Sequence, residues 1–275
     1  MTKDALQELR LAPVNGAASV KLGADAARLA NAPPKAELKA ETETLLARLT
    51  KLQEAFYADG RHALLLVLQG RDTSGKDGVI RTVTGAFNPS GVTVTSFGRP
   101  TDLELRHDFL WRIHRVVPPR GSIAVFNRSQ YEDVLVVRVR ELAEEKIWRA
   151  RYAQINAFES MLAQNGVIIR KCMLHISRDE QAVRLRERLD DPKKNWKFRP
   201  GDLEDRALWD QYTDAYRDAL VQCSTPEAPW YIVPSDSNSQ RNYLIARMLV
   251  ETLESLDLQY PSIDPAVRKA AEGFE

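Results

Sequence analysis

The sequence is poor in residues that staple or ligate. Two cysteines, Cys172 and Cys223, and four histidines are scattered through 275 residues, with no C-x-x-C pair and no histidine cluster. That scarcity argues against a disulfide framework and against a zinc site, and it reads the thiols as reduced and buried. An excess of one charge is also missing: 39 Lys+Arg stand against 38 Asp+Glu, a formal +1. The chain as a whole is therefore no general polyanion binder, no nucleic-acid partner is expected, and any basic surface must be local. The longest aliphatic run, Ala63 to Leu68, is too short to cross a membrane. Asp4 and Glu8 interrupt an N-terminus without an apolar segment, so no secretory signal is expected. These absences predict a cytoplasmic protein without a membrane partner.

What is present is a sizeable apolar share, 44%, enough for one main domain with a full core. Residues 1–34 contain Gly16, Pro33 and Pro34 and no sustained period, and read as a weakly structured arm. Leu38, Leu45, Leu49, Leu52 and Phe56 recur at helical spacing between Lys35 and Tyr57. Apolar strands then alternate with helices. Strands are expected at Ala63–Gln69, Val92–Phe97, Gly121–Phe126, Val167–His175 and Trp230–Val233. Helices are expected at Lys76–Gly85, Asp102–Ile113, Gln130–Val139, Leu142–Asn165, Asp179–Leu189, Leu203–Val221 and Asn242–Leu256. Continuously apolar strands separated by helices predict an α/β fold, a parallel sheet of five strands covered on both faces. The main domain is expected over 35–260, with an inserted helical excursion at about 178–224 and a tail over 261–275.

The first strand runs into Gly70-Arg71-Asp72-Thr73-Ser74-Gly75-Lys76-Asp77-Gly78. A Gly-rich turn between a strand and a helix cradles phosphate, because backbone N–H groups and the helix N-terminus face the anion while the lysine adds charge. Gly70, Gly75 and Lys76 satisfy the spacing G-x-x-x-x-G-K, a bare pattern met by chance in about one chain in twelve of this length. Its position between the first strand and a helix is what gives it weight. Thr73, Ser74 and Gly78 complete the candidate cradle. Asp77 stands where Ser or Thr is expected, and Asp72 lies inside the loop. A bare carboxylate would repel phosphate, so a role for Asp72 with a divalent cation is favoured. For Asp77, a first-turn acid favoured by the helix dipole competes with a phosphate-site role.

The third strand delivers Asn127-Arg128-Ser129-Gln130-Tyr131-Glu132-Asp133 to the carboxyl edge, where open α/β sheets bind ligands. Asn127 occupies the place of a conventional Walker B acid, and Arg128 is placed to grip phosphate oxygens. Ser129 with Glu132 three residues on also reads as a capping box. These two motifs, with Asp191-Pro192-Lys193-Lys194-Asn195-Trp196-Lys197-Phe198 and Ala228-Pro229-Trp230-Tyr231, resemble the polyphosphate kinase 2 family, from about Lys35 to Leu256. The resemblance implies a three-layer P-loop kinase fold similar to thymidylate kinase, with a helical lid. It also implies Mg2+-dependent, reversible phosphoryl transfer between inorganic polyphosphate and AMP, ADP or ATP, with Mn2+ as an alternative ion. In its terms Lys76 and Arg128 hold phosphates, and Asp72 and Asp133 hold metal or the acceptor phosphate. Members that prefer nucleoside diphosphates usually carry Asp where this chain has Asn127. The Asn with Glu132 and Asp133 resembles the class that accepts both AMP and ADP. A homo-oligomer, dimer or tetramer, is common in such families.

Between Arg178 and Arg199 lie eight basic and five acidic residues, a local positive surplus in a nearly neutral chain. An insertion there can close over a phosphate donor and exclude water, and Arg178, Arg188, Lys193, Lys194 and Lys197 are its candidate phosphate contacts. Trp196 and Phe198 are expected to pack at a hinge. Arg99, beyond the second strand, joins Asn127 and Glu132 as a candidate contact to the acceptor nucleotide. Two other readings stay open at this point: an ATP-dependent nucleoside monophosphate kinase, and a non-catalytic module binding nucleotides or polyanions.

Overall fold

The computed structural model describes residue 6 and residues 8–271. The remaining residues of the expected arm and tail lie outside that description. In chain order the elements are α1 (Lys35–Asp59), β1 (Ala63–Gly70), α2 (Lys76–Thr82), β2 (Val92–Ser96), α3 (Asp102–Leu105), α4 (Trp111–His114), β3 (Ile123–Asn127), α5 (Glu132–Val139) and α6 (Glu145–Gln164). They continue with β4 (Val167–His175), α7 (Arg178–Asp190), α8 (Pro200–Ala207), α9 (Trp209–Gln222), β5 (Trp230–Pro234), α10 (Asn238–Glu254) and α11 (Pro265–Ala271). The five strands form one parallel sheet in the order β2-β3-β1-β4-β5.

Alternation of side chains along each strand divides the core in two. Leu65, Val67, Ala124, Phe126, Ile169 and Met173 face α5, α6 and α9. Leu64, Leu66, Leu68, Val125, Cys172 and Leu174 face α1, α2 and α10. With apolar contacts on both faces, every residue of β1 is buried, which is why it reads as an unbroken aliphatic run. Leu38, Leu45, Leu49 and Phe56 form the inward stripe of α1, and Gly60 ends that helix in the left-handed region with φ 65°. Both cysteines are free and buried, and burial pushes the Cys172 thiol up to about 12.

Several expected elements differ, among them the last long helix, which begins at Asn238 rather than Asn242, and the Leu142–Asn165 helix, which begins at Glu145. The Asp102–Ile113 helix is broken into α3 and α4, because Asp108 turns the chain by accepting a hydrogen bond from the Leu110 N–H. The Leu203–Val221 helix starts earlier, at Pro200, and splits at Leu208 into α8 and α9. The Lys76–Gly85 helix ends at Thr82. The arm is more ordered than its composition predicts. Pro13 bridges Tyr231 in antiparallel fashion, the Val14 N–H donates to the Trp230 carbonyl at 2.8 Å, and Val14, Val20 and Ala27 are buried. It covers the open edge of β5, a tertiary role that no helical or strand period announces.

Candidate active site

Two loops meet at the carboxyl edge of β1 and β3, which pair in register up to Leu68 and Asn127. Gly70, with φ 150°, has no room for a side chain: a Cβ there would lie 2.7 Å from the Leu174 carbonyl and from Ser74 Oγ. Gly75, with φ 99°, is equally constrained, since its Cβ would meet the Arg241 guanidinium at 1.9 Å. Thr73 and Arg128 adopt positive φ, 66° and 65°, without being glycine. Such backbone strain gathers where a site demands it. Lys76 opens α2 and is buried, its Nζ donating to the Gly70 carbonyl at 2.6 Å and the Arg71 carbonyl at 3.2 Å. Burial, with the nearby Arg128 charge, lowers its ammonium to about 8.

Arg128 ties the loops together. It donates to Asp72 Oδ1 at 2.9 Å and to Glu132 Oε2 at 3.0 Å. Glu132 above all, then Asp72, hold the Arg128 guanidinium charged against the effect of burial. Burial pushes the Asp72 carboxyl up, but Lys76, Arg128 and Arg188 outweigh it and keep it below the usual carboxylate range. Gly70, Asp72, Arg128 and Glu132 share a small cavity of about 30 Å³ with Tyr212 and Tyr216 of α9. Beside it opens a groove of about 1040 Å³, lined by eleven basic and six acidic side chains.

The groove collects Asp72, Thr73, Gly75, Lys76, Asp77, Gly78, Asn127, Arg128, Arg188, Lys193, Lys194 and Lys197. Ser74 is buried beneath it. Arg178 is not among its walls; the Arg178 carbonyl instead accepts from Arg206 at 2.7 Å. Arg99 is exposed in the loop after β2, away from the groove lining. Asp77 takes a role that neither sequence reading anticipated. It accepts from Asn127 Nδ2 at 3.3 Å and from Lys197 Nζ at 3.3 Å, joining P-loop, third strand and lid.

Asp133 is placed differently from its expected partner Asp72. It sits among Arg151, at 3.1 Å, and Arg112, at 3.8 Å, and lines neither cavity. Burial raises its carboxyl to about 6 despite those two arginines. The expected capping box is also absent. The Ser129 hydroxyl accepts from the Tyr131 N–H, α5 starts only at Glu132, and the Glu132 carboxylate is engaged by Arg128. Trp196 is 72% exposed, so it packs no hinge; its indole N–H donates to the Lys193 carbonyl.

Sequence reasoning passed over Arg184, Gln181 and Arg241. Arg184 donates to the Thr73 carbonyl at 2.9 Å and to the carbonyls of Ser235 and Asp236, while Gln181 reaches the Asp72 carbonyl. Arg241 packs on Gly75 and Gly78. The one signal was that pair of glycines three residues apart, a spacing that lets another side chain approach a helix closely.

A parallel α/β sheet with this loop, lysine and basic lid defines a P-loop kinase-like phosphotransferase. Residues 33–261 match the family model described as Polyphosphate kinase 2 (PPK2), and the chain belongs to that family. It is 56% identical over 222 residues to an AMP/ADP-polyphosphate phosphotransferase of Meiothermus ruber, covering 81% of this chain and 83% of that one. It is 46% identical to an ADP-polyphosphate phosphotransferase of Rhodopseudomonas palustris, covering 82% of each. The crystal structure of polyphosphate kinase 2 from Arthrobacter aurescens superimposes with a TM-score of 0.84 at 42% identity, over 96% of this chain and 99% of the other. No described helix is long and apolar enough to cross a membrane.

Proposed function

We propose that the protein transfers the terminal phosphoryl group of inorganic polyphosphate to AMP and to ADP, reversibly. The observation that carries this reading is the large groove that holds Lys76 with ten other basic side chains: so many cations suit a polyanionic donor better than a single nucleotide. The 56% identical relative named for AMP/ADP-polyphosphate transfer supports both acceptors. In the transfer, the terminal P–O bond of the donor breaks and a P–O bond to an acceptor phosphate oxygen forms, leaving the donor one phosphate shorter. Lys76 and Arg128 face the charge that spreads over the transferring group, and positioning by the two loops supplies most of the rest. The acceptor oxygen is already ionised, so no strong general base is required. Lys197, reaching across to Asp77, holds the lid over the loop where water would compete with the acceptor.

Asp72 fits a divalent cation, for it is an oxygen donor on the groove wall beside Lys76, kept ionised by its neighbours. Mg2+ is commonly bound through one or two carboxylates and the substrate's own phosphates, so no closed cage of protein ligands is needed. Among the described residues no three His, Cys, Asp or Glu side chains cluster, in keeping with that mode. Mg2+, or Mn2+ in its place, would be held by Asp72 and would neutralise phosphate charge. Asp133, paired with two arginines away from the groove, does not fit as its partner in this arrangement.

The test crosses acceptors with donors. Polyphosphate and Mg2+ should convert AMP to ADP and ATP, and ADP to ATP; EDTA should stop both reactions, and ATP should be a poor donor to AMP. Absence of turnover with both acceptors overturns the reading, and a preference for ATP as donor establishes a nucleoside monophosphate kinase instead.

The lowered Lys76 ammonium sets a pH limit. Below about 8 the lysine is charged and can hold phosphate; above it the free enzyme loses that charge. The expected result is a kcat/KM for polyphosphate that falls as pH rises through about 8. The limb in kcat should lie at higher pH, because bound phosphate favours the ammonium. Initial rates across pH 6 to 10, with Lys76→Arg as the comparison lacking that limb, check it.

A further inference from the structure

The groove also takes in residues of α10 and of the N-terminal segment that no motif marks. Arg241 of α10 lines it, 2% exposed, and among the described residues no acidic side chain pairs with its guanidinium. Its guanidinium donates to Asn238 Oδ1 at 2.6 Å, to Asn242 Oδ1 at 3.0 Å and to the Ser74 carbonyl at 3.4 Å, all oxygens of neutral groups. Burying a guanidinium without a carboxylate is costly, and an anion arriving from the groove is what would complete it. The missing Cβ atoms of Gly75 and Gly78 are what let it lie against the phosphate loop.

Two cations of the N-terminal segment line the same groove. Arg28 is presented by backbone pinned on either side: the Ala27 carbonyl accepts from the Asp236 N–H at 3.0 Å, and the Leu29 N–H donates to Gln240 Oε1 at 3.1 Å. Lys35 is the first residue of α1, a helix of 25 residues whose opening N–H groups add positive potential. The tether runs to the opening turn of α10, where Ser237, Asn238 and Ser239 line the groove as well.

The geometry points to an outer phosphate subsite, formed by Arg28, Lys35 and Arg241, that binds internal phosphates of the donor chain. This rests on polyphosphate being the donor. Its consequence is selectivity for length: a long chain engages Lys76, Arg241 and the two N-terminal cations together, whereas tripolyphosphate held at Lys76 spans fewer of them. An ordered arm is then part of the donor track.

The experiment compares wild type with the R28A/K35A double variant, both positions being exposed, using long-chain polyphosphate and tripolyphosphate as alternative donors to AMP. The ratio of the tripolyphosphate KM to the long-chain KM should fall about tenfold in the variant. Competition of tripolyphosphate against labelled long chains should shift in the same direction. Arg241→Gln, read by the rise in Tm that long-chain polyphosphate confers, should show a smaller rise than wild type. An unchanged KM ratio with an unchanged ligand-induced Tm overturns the subsite. A rise in the KM for AMP or ADP with no change in the donor ratio assigns these cations to the nucleotide and also overturns it. Wild-type protein that fails to use polyphosphate at all would defeat the proposed function, an outcome separate from both.

Discussion

Lys76→Ala should lower kcat with polyphosphate by about two to three orders of magnitude, the loss seen when one preorganised charge facing a transition state is removed. Ten other basic side chains still line the groove, so donor binding should weaken far less than turnover. That contrast is the informative part. In the free protein Nζ lies on the Gly70 and Arg71 carbonyls, so removing it leaves two carbonyl oxygens that water entering the groove can satisfy. The fold should survive, and near-wild-type circular dichroism is the control. Single-turnover kinetics beside direct polyphosphate binding make the measurement. A fall of less than about tenfold in the chemical step would remove Lys76 from transition-state stabilisation, and equal losses in binding and turnover would make it a docking residue only. The non-catalytic alternative predicts a binding defect with no turnover to lose.

The parts of this site that were legible in the sequence are those made by neighbours in the chain. Leu64 to Gly78 place a buried strand, a tight turn and a helix start in one local stretch, so spacing alone located Lys76. The basic excursion was equally local, and its Lys193, Lys194 and Lys197 do line the groove. What stayed hidden depends on partners far along the chain. Asp133 appears in sequence as an acid one turn past a phosphate-gripping arginine. Its environment is set by Arg112 and Arg151, which arrive from α4 and α6. Asp77 looked ambiguous because its two partners, Asn127 and Lys197, are 50 and 120 residues distant. The capping-box pattern is overridden for a physical reason: Glu132 gains more from a charge-assisted pair with the Arg128 guanidinium than from a neutral backbone N–H. The order of the arm is hidden from composition because edge coverage needs only a few small apolar residues and extended backbone.

The two loops of the site also share an anchor in the core. Arg128 stands in the left-handed region, and the chain immediately after it is held from below. Gln69, the residue before Gly70, donates to Ser129 Oγ at 3.1 Å, coupling the β1 loop to the β3 loop under the surface. Gln130 and Tyr131 both donate to Glu159 of α6 at 2.9 Å. The strained arginine thus sits between an outer ion pair with Asp72 and an inner network, and neither alone specifies its backbone. Such over-determination is what keeps a residue in a sparsely populated conformation.

The centre of that inner network is the fully buried pair Lys171–Glu159, and it carries the largest stability effect expected of a single substitution here. Lys171 Nζ also donates to Tyr131 Oη at 2.8 Å and to the Cys223 carbonyl at 2.6 Å, so every proton on it is used. Burial pushes the Glu159 carboxyl up and the Lys171 ammonium down, and their mutual attraction opposes both shifts. Lys171→Met keeps the volume but strands Glu159 without its cation, which should cost about 3–5 kcal/mol. For a chain of this size that corresponds to a fall in Tm of about 10 °C. Glu159→Gln added to Lys171→Met removes the stranded charge while leaving an oxygen for Gln130 and Tyr131. Most of the lost stability should therefore return in the double variant, as expected when an unpaired charge, rather than lost packing, is the cause. Urea unfolding of wild type and the three variants closes the cycle. If the double variant is as unstable as Lys171→Met alone, the cost lies in packing and lost hydrogen bonds, and the pair's charge is not what the core depends on.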